Sequence, residues 1–315
     1  MVKKIFFLLL SAAPLALSAA GEPGGNVSPL TLEFSLGLLS GRAEELVYQD
    51  ENSGDKLSQL LWDLKPLVYT GAGLRYHRQS RGGGGFFAEA MVKLGIPGET
   101  GVMEDRDWMG LNAPQWLTHY SVHTNRTDWA VLFDGSLGLS FPVWTHFLLK
   151  ISVAYHFMNF YWMGKGGSLL YPYPDSHGYI TTATATVITY QQIWHAIGPA
   201  VSFYGAFNRY FSMELAFNFS PLVFFAGLDN HILRVPRLVI TGKYNGGFSI
   251  QPGLVFSFAP KGSLVFSLSL AYRRIRGTRG DGYYDEQGSP LQVATNANGA
   301  GYSVFDVGFN VRFGF

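Results

Sequence analysis

The sequence predicts an all-β transmembrane barrel, an up-and-down antiparallel sheet of about ten strands closed on itself. Three observations lead there. The chain is 47% hydrophobic and 16% aromatic but only 14% charged, against about 25% charged in ordinary soluble domains. Beyond Ala20 no apolar run is long enough for a membrane helix. The apolar residues are spread by alternation instead. In Val307 to Phe315 every odd position is apolar, and Gly, Asn or Arg stand between. Alternate side chains of a strand leave opposite faces, so such a segment suits lipid outside and a polar lumen inside.

Taken in chain order, Met1 to Ala20 reads as a secretory signal. Lys3 and Lys4 precede an apolar run from Ile5 to Leu17, then Ser18-Ala19-Ala20, with cleavage expected before Gly21. Residues 21–315 are expected to form one barrel domain. There is no cysteine, so neither a lipid-modified cysteine nor a disulfide is available. Strands are expected near 30–47, 56–76, 84–108, 125–141, 146–163, 178–205, 209–227, 237–258, 263–277 and 299–315. Tight turns at Gln79 to Gly83, Pro142 to His146, Phe207 to Arg209 and Pro260 to Gly262 alternate with longer connections at 110–124, 164–177 and 277–298. Short turns belong to the periplasmic rim and long ones to the extracellular rim. Segments this long exceed the ~5–6 residues usual in soluble sheets, which disfavours a soluble sandwich. Tyr48, Trp62, Trp108, Trp129, Trp144, Tyr161 and Trp162 lie near strand ends, where interfacial girdles are expected.

Two acidic motifs then fall on one rim. The third strand runs outward to Asp105-Arg106-Asp107, and the seventh runs outward to Asp229-Asn230-His231. Parity on the third strand turns Glu89, Met91, Lys93, Glu99, Met103, Asp105 and Asp107 inward. On the seventh, Phe211 to Phe219 face lipid at odd positions, so an unbroken period of two points Asp229 and His231 outward as well. A one-residue bulge between Ser220 and Leu228, beginning at Pro221, resolves this conflict, since proline cannot donate a ladder hydrogen bond. Two carboxylates at i and i+2 repel, so one tends to hold a proton. An Asp beside a His raises its basicity and fixes its tautomer, which suits general-base work. As solitary features these residues read as solvated rim charges; together they read as a catalytic constellation.

The chain resembles the omptin family of outer-membrane aspartyl endoproteases. The likeness runs through Ser35 to Gly41 with Glu45 and Tyr48, Lys56 to Leu60 with Trp62, Met103 to Met109, Asn112 to Trp116, Ser121 to His123, and Asp229 to His231. The resemblance implies a ten-stranded barrel and an endopeptidase in which Asp105 and Asp107 form one couple. Asp229 would orient His231, and a water between them would attack the scissile carbonyl. It implies Glu45 and Met103 as substrate-binding residues, with Ser121 and His123 as supporting ones. The family's second acidic pocket residue is here Gly227, and an acidic residue before Ser121 is replaced by His119. Both departures weaken the expected preference for basic residues. Omptins also bind lipopolysaccharide on the outer wall. Here Tyr155 and Lys243 remain of that set, while Phe157, Asn159 and Ile193 replace its other positions, so either activation does not need lipopolysaccharide here or the host membrane lacks its usual form.

No cofactor and no metal site are expected, because the histidines lack zinc spacing and Gly82 to Gly85 precede no helix. Arg273, Arg274, Arg276 and Arg279 suit phosphate headgroups, an acidic peptide or a solvated rim. A net charge of +1 carries no nucleic-acid signature. The expected partners are peptide or protein substrates and outer-membrane lipid, and the expected state is a monomer. A non-enzymatic barrel, either narrow channel or adhesin, is the competing reading, and a lipid-modifying enzyme is a third.

Overall fold

The computed structural model describes residues 29–52, 54–79, 84–110, 115–172, 176–261 and 263–314. The expected signal segment with its cleavage point, the turn at 80–83, Gly262, Asn112, Phe315 and parts of two long connections lie outside the described residues. Among the described residues thirteen strands form one antiparallel sheet. They are β1 (Leu30–Tyr48), β2 (Lys56–Gln79), β3 (Gly85–Gly95), β4 (Gly98–Asp107), β5 (His119–Trp144), β6 (Phe147–Tyr171), β7 (His177–Ala206), β8 (Phe211–Ser220), β9 (Leu222–His231), β10 (Leu238–Asn245), β11 (Phe248–Lys261), β12 (Leu264–Glu286) and β13 (Gln292–Gly314). Three crossings are divided in two, as β3 with β4, β8 with β9 and β10 with β11, which leaves the ten crossings expected. β1 pairs both β2 and β13, so the sheet closes and leaves no edge.

Alternation does what the sequence implies. On β1, Phe34, Leu36 and Leu38 are exposed, whereas Glu33, Ser35 and Leu39 are buried in the lumen. The outward series from Leu30 to Ser40 is about 33 Å of strand, which spans about 25 Å of membrane once tilted. Above it the outer wall turns polar, with Arg42 and Glu44. β4 and the last residues of β9 belong to this upper extension.

The strands run further above the membrane than expected. β6 and β12 continue to Tyr171 and Glu286, and β7 and β13 begin at His177 and Gln292, so much of the predicted loop sequence is hairpin. Outside lipid no apolar face is required, and the alternation that marks a strand is therefore missing there. Trp62 and Trp162 are not girdle residues; both are fully buried in the lumen. They stack on each other with centroids 6.0 Å apart, and Tyr190 lies 5.4 Å from Trp62. Phe160 and Tyr302 extend the same stack. Below this plug the lumen is ionic: Arg75 with Glu33 and Glu89, Lys150 with Glu214, Lys93 with Asp306, and Arg273 with Asp134 at 2.6 Å. Arg273 is thus an interior residue, not a rim one, because its parity is that of the lumen face of β12.

Two register changes set the upper rim. At the β3–β4 junction and again at Gly101 the period of two breaks, so Thr100 is buried and Glu99 is exposed, contrary to the parity expected for Glu99. The two breaks cancel, and Met103, Asp105 and Asp107 recover the inward side. On the seventh crossing, Gly198 and Pro199 of β7 face three residues, Phe219, Ser220 and Pro221. Phe219 is exposed and Val223 is buried, so the predicted bulge sits at Pro221 and turns Asp229 and His231 inward. Gly198 permits it, since a Cβ there would lie 2.0 Å from the Phe219 carbonyl oxygen. The offset passes to the neighbouring strands at Gly246-Gly247 and at Gly277, and is absorbed where Arg276 and Gly277 of β12 face Gly301 of β13. A block of three crossings is therefore shifted together.

Candidate active site at the extracellular rim

Each predicted site residue can now be located. Asp105 lies opposite Leu60 of β2 and Ser121 of β5, and Asp107 opposite Ser58 and His119. Asp229 lies opposite Tyr190 of β7 and Ile240 of β10. All stand above the apolar band and face the mouth of the lumen. The imidazole Nε2 of His231 is 2.8 Å from Oδ2 of Asp229, which is fully buried. A buried carboxylate is tolerated where a cation pairs with it.

The electrostatics tie the two motifs into one group. Burial, and then repulsion from Asp107, push the Asp105 carboxyl up to about 8, while the nearby His231 pulls the other way. Burial also raises the Asp107 carboxyl, opposed by the Ser58 hydroxyl and His119. Burial would lower His231, but the charge and hydrogen bond of Asp229 outweigh it and the imidazole rises to about 9. These groups exchange protons as a set rather than singly.

Around this core, Ser58 was not singled out in the sequence, yet its hydroxyl donates to Asp105 Oδ1 at 3.5 Å. Its signal was only its place on the inner face of β2. Glu45 is buried between Leu60 and Ala300, and burial with the fields of Asp229 and Asp105 raises its carboxyl well above the usual range. Met103 is fully buried opposite Trp62, in the apolar core that also holds Tyr190. Tyr190, also missed, hydrogen-bonds to Glu45 and closes the floor with Trp62. At Gly227 a Cβ would meet the Phe225 ring at 2.6 Å, so a packed aromatic occupies the space of a second pocket carboxylate.

Ser121 and His123 form a separate buried pair, with His123 Nε2 2.9 Å from the Ser121 hydroxyl. The other imidazole nitrogen meets the Gly166 carbonyl, and burial lowers the imidazole. That nitrogen donates to the carbonyl, so Nε2 accepts from Ser121. Ser121 is the cross-strand neighbour of Asp105, which makes the pair a brace for the β4 side of the cleft. Among the described residues no group of three or more His, Cys, Asp or Glu is arranged to hold a metal ion.

Comparison with known proteins agrees with this architecture. The family model for the omptins matches residues 26–315. The outer membrane protease OmpP of Escherichia coli K12 is 26% identical over 321 residues, covering 96% of this chain and 95% of that protein. The plasminogen activator of Yersinia pestis is 27% identical over 233 residues, 72% of this chain and 70% of its own. In the crystal structure of the outer membrane protease OmpT from Escherichia coli the fold is shared with a TM-score of 0.82. Sequence identity there is 18%, with 93% of this chain and 99% of that one covered. The chain belongs to the omptin family, an outer-membrane β-barrel whose candidate site opens at the extracellular rim.

Proposed function

We propose that the rim cluster hydrolyses peptide bonds of exposed peptides or proteins, with a water activated between the Asp105–Asp107 couple and the Asp229–His231 pair. One observation carries this reading: two acidic motifs from opposite walls of the barrel share one electrostatic field at the mouth of a closed lumen. The protease names of the relatives support the same reaction class.

In the reactive distribution Asp105 holds a proton and His231 is neutral. His231 takes a proton from the water, and the hydroxide adds to the carbonyl carbon. The imidazolium, held in orientation by Asp229, then returns the proton to the leaving amine as the C–N bond breaks. Glu45 and Met103 line the pocket for the side chain beside the cut. A basic side chain entering there displaces the proton of Glu45 and pairs with its carboxylate. With Gly227 in place of a second carboxylate, discrimination for Arg or Lys is weaker than a two-carboxylate pocket gives. Ser121 and His123 act through Asp105 as positioning residues. The protein works without a bound cofactor, and without lipopolysaccharide at the positions of Phe157, Asn159 and Ile193.

Incubation of the refolded barrel with a randomised peptide library, read by mass spectrometry, tests the proposal. Cuts clustered by the side chain before the bond, modestly enriched in Arg and Lys, are the expected result. An uncut library means that the site is not a peptidase.

A further inference from the structure

On the β5 side of Asp107 the wall of the cleft is made of rings. Asp107 lies opposite His119 of β5. One step beyond the Tyr120–Leu170 pair, the His119 ring meets that of Tyr171 on β6 edge to face, with centroids 4.8 Å apart. Tyr171 in turn pairs with His177 of β7, and those two rings stack at 4.6 Å. Residues directly opposite each other on neighbouring strands share one face of the sheet. Asp107, His119, Tyr171 and His177 therefore form one row across four strands, on the face that looks into the cleft. Tyr179, two residues after His177, shares that face. It stands edge to face with Tyr171 at 6.0 Å and with His177 at 5.9 Å.

The row opens with distance from the Asp couple. His119 and Tyr171 are half-buried, His177 is exposed and Tyr179 is 61% exposed. These residues stand level with or above Asp105, beyond the apolar band, so lipid does not account for their exposure. Contiguous apolar surface with a polar rim marks a binding groove. Phenol rings suit such a groove because they offer a large rigid area at little entropic cost. Position says what docks there. Glu45, which lines the pocket for the side chain before the cut, comes from β1, on the opposite side of β4 across β2. A peptide held between the Asp105–Asp107 wall and the Asp229–His231 wall therefore leaves the site over β5, β6 and β7 with its C-terminal part. Strands about 4.8 Å apart put the Tyr171 backbone about 10 Å from that of Asp107, and an extended peptide advances about 3.3 Å per residue. The rings are thus within reach of about the third residue after the cut.

We propose that His119, Tyr171, His177 and Tyr179 form a subsite for an aromatic side chain about three residues after the scissile bond. The subsite rests on the proteolytic reading and extends it to the far side of the cut. An aromatic side chain packs offset or edge to face on phenol and imidazole rings and gains more than its area alone. A small side chain leaves the rings wet. A cationic one finds no carboxylate in the row beyond Asp107, and imidazoles flank Tyr171 on both sides.

The test walks a single Phe through the first four positions after the cut of a cleaved peptide that otherwise carries Ser there, with the cut confirmed by mass spectrometry. For the full refolded barrel, kcat/KM should peak with Phe at about the third position, about three- to tenfold above the all-Ser peptide. Tyr171→Ala with Tyr179→Ala should bring that ratio close to one, whereas Trp144→Ala, at the periplasmic rim, should keep it. Heat-dependent gel mobility reports folding; if the double variant misfolds, Tyr179→Ser, at the most exposed ring, replaces it and should lower the ratio about twofold. Fluorescence anisotropy of the same labelled peptides on the folded His231→Ala barrel reads binding without turnover. A failure of hydrolysis and a failure of the subsite therefore give different results. Equal binding of the Phe and Ser peptides overturns the subsite, as does a Phe preference that the folded ring variants retain.

Discussion

At the scale of single residues, the proton on His231 decides when the site works. With its imidazole raised to about 9, only about one site in a hundred is neutral at pH 7. A neutral His231 and a protonated Asp105 are both required, so kcat/KM should climb about tenfold per pH unit to a maximum between about 8 and about 9 and fall above it as Asp105 loses its proton. The sign of the acid limb follows from the cause: Asp229 stabilises the charged ring, so Asp229→Asn should move this limb toward acid as well as lower the maximum. A profile flat from pH 6 to pH 9 would contradict a His231 base. The Asp-x-Asp and Asp-x-His motifs were legible because their spacing is local. Ser58 and Tyr190 were not, since an inward serine or tyrosine on a long strand looks the same whether or not a carboxylate stands opposite it. Trp62 and Trp162 misled for a related reason: a tryptophan near a strand end suits an interfacial girdle and a packed lumen equally well.

At the scale of elements, the bulge at Pro221 was readable because two requirements on one strand conflicted, and a proline stood where the conflict had to be resolved. Its spread into β10, β11 and β12 was not readable, since Gly246-Gly247 and Gly277 carry no such conflict in their own strands. These glycines give the shifted block a direct test. Gly247 has φ +76° and its absent Cβ would sit 2.3 Å from the Arg276 carbonyl oxygen, while Gly246 has φ +102° with open space around it. Gly246→Ala should cost about 1 kcal/mol, the strain of a left-handed residue. Gly247→Ala adds a backbone clash and should cost about 3 kcal/mol. Urea unfolding in lipid vesicles, followed by gel mobility, measures both. Equal losses would mean that the two strands are not locked in register here. The breaks at Ile96-Pro97 and Gly101 escaped the sequence because they cancel, and only the exposed Glu99 reveals them.

At the scale of the molecule, the closed lumen separates an enzyme from a channel. Trp62, Trp162, Tyr190 and Phe160 are all buried and stacked across the barrel beneath the site. Stacked rings contribute about 0.5–1.5 kcal/mol per pair beyond the area they bury, so the plug is a stable floor. Planar bilayers carrying the protein should show no steady conductance; a sustained open level would revive the channel reading. Length, alternation and composition made the barrel legible from the sequence, since lipid imposes one face on every crossing. The plug was hidden because the lumen imposes no such period. The central claim, that the facing Asp and His pairs cut peptide bonds, is tested most directly by kcat/KM on a cleaved peptide for wild type, Asp105→Asn and His231→Ala. Roughly 10²–10⁴-fold losses are predicted in both variants, with the heat-resistant barrel intact. Turnover at the wild-type rate by either folded variant would contradict the account.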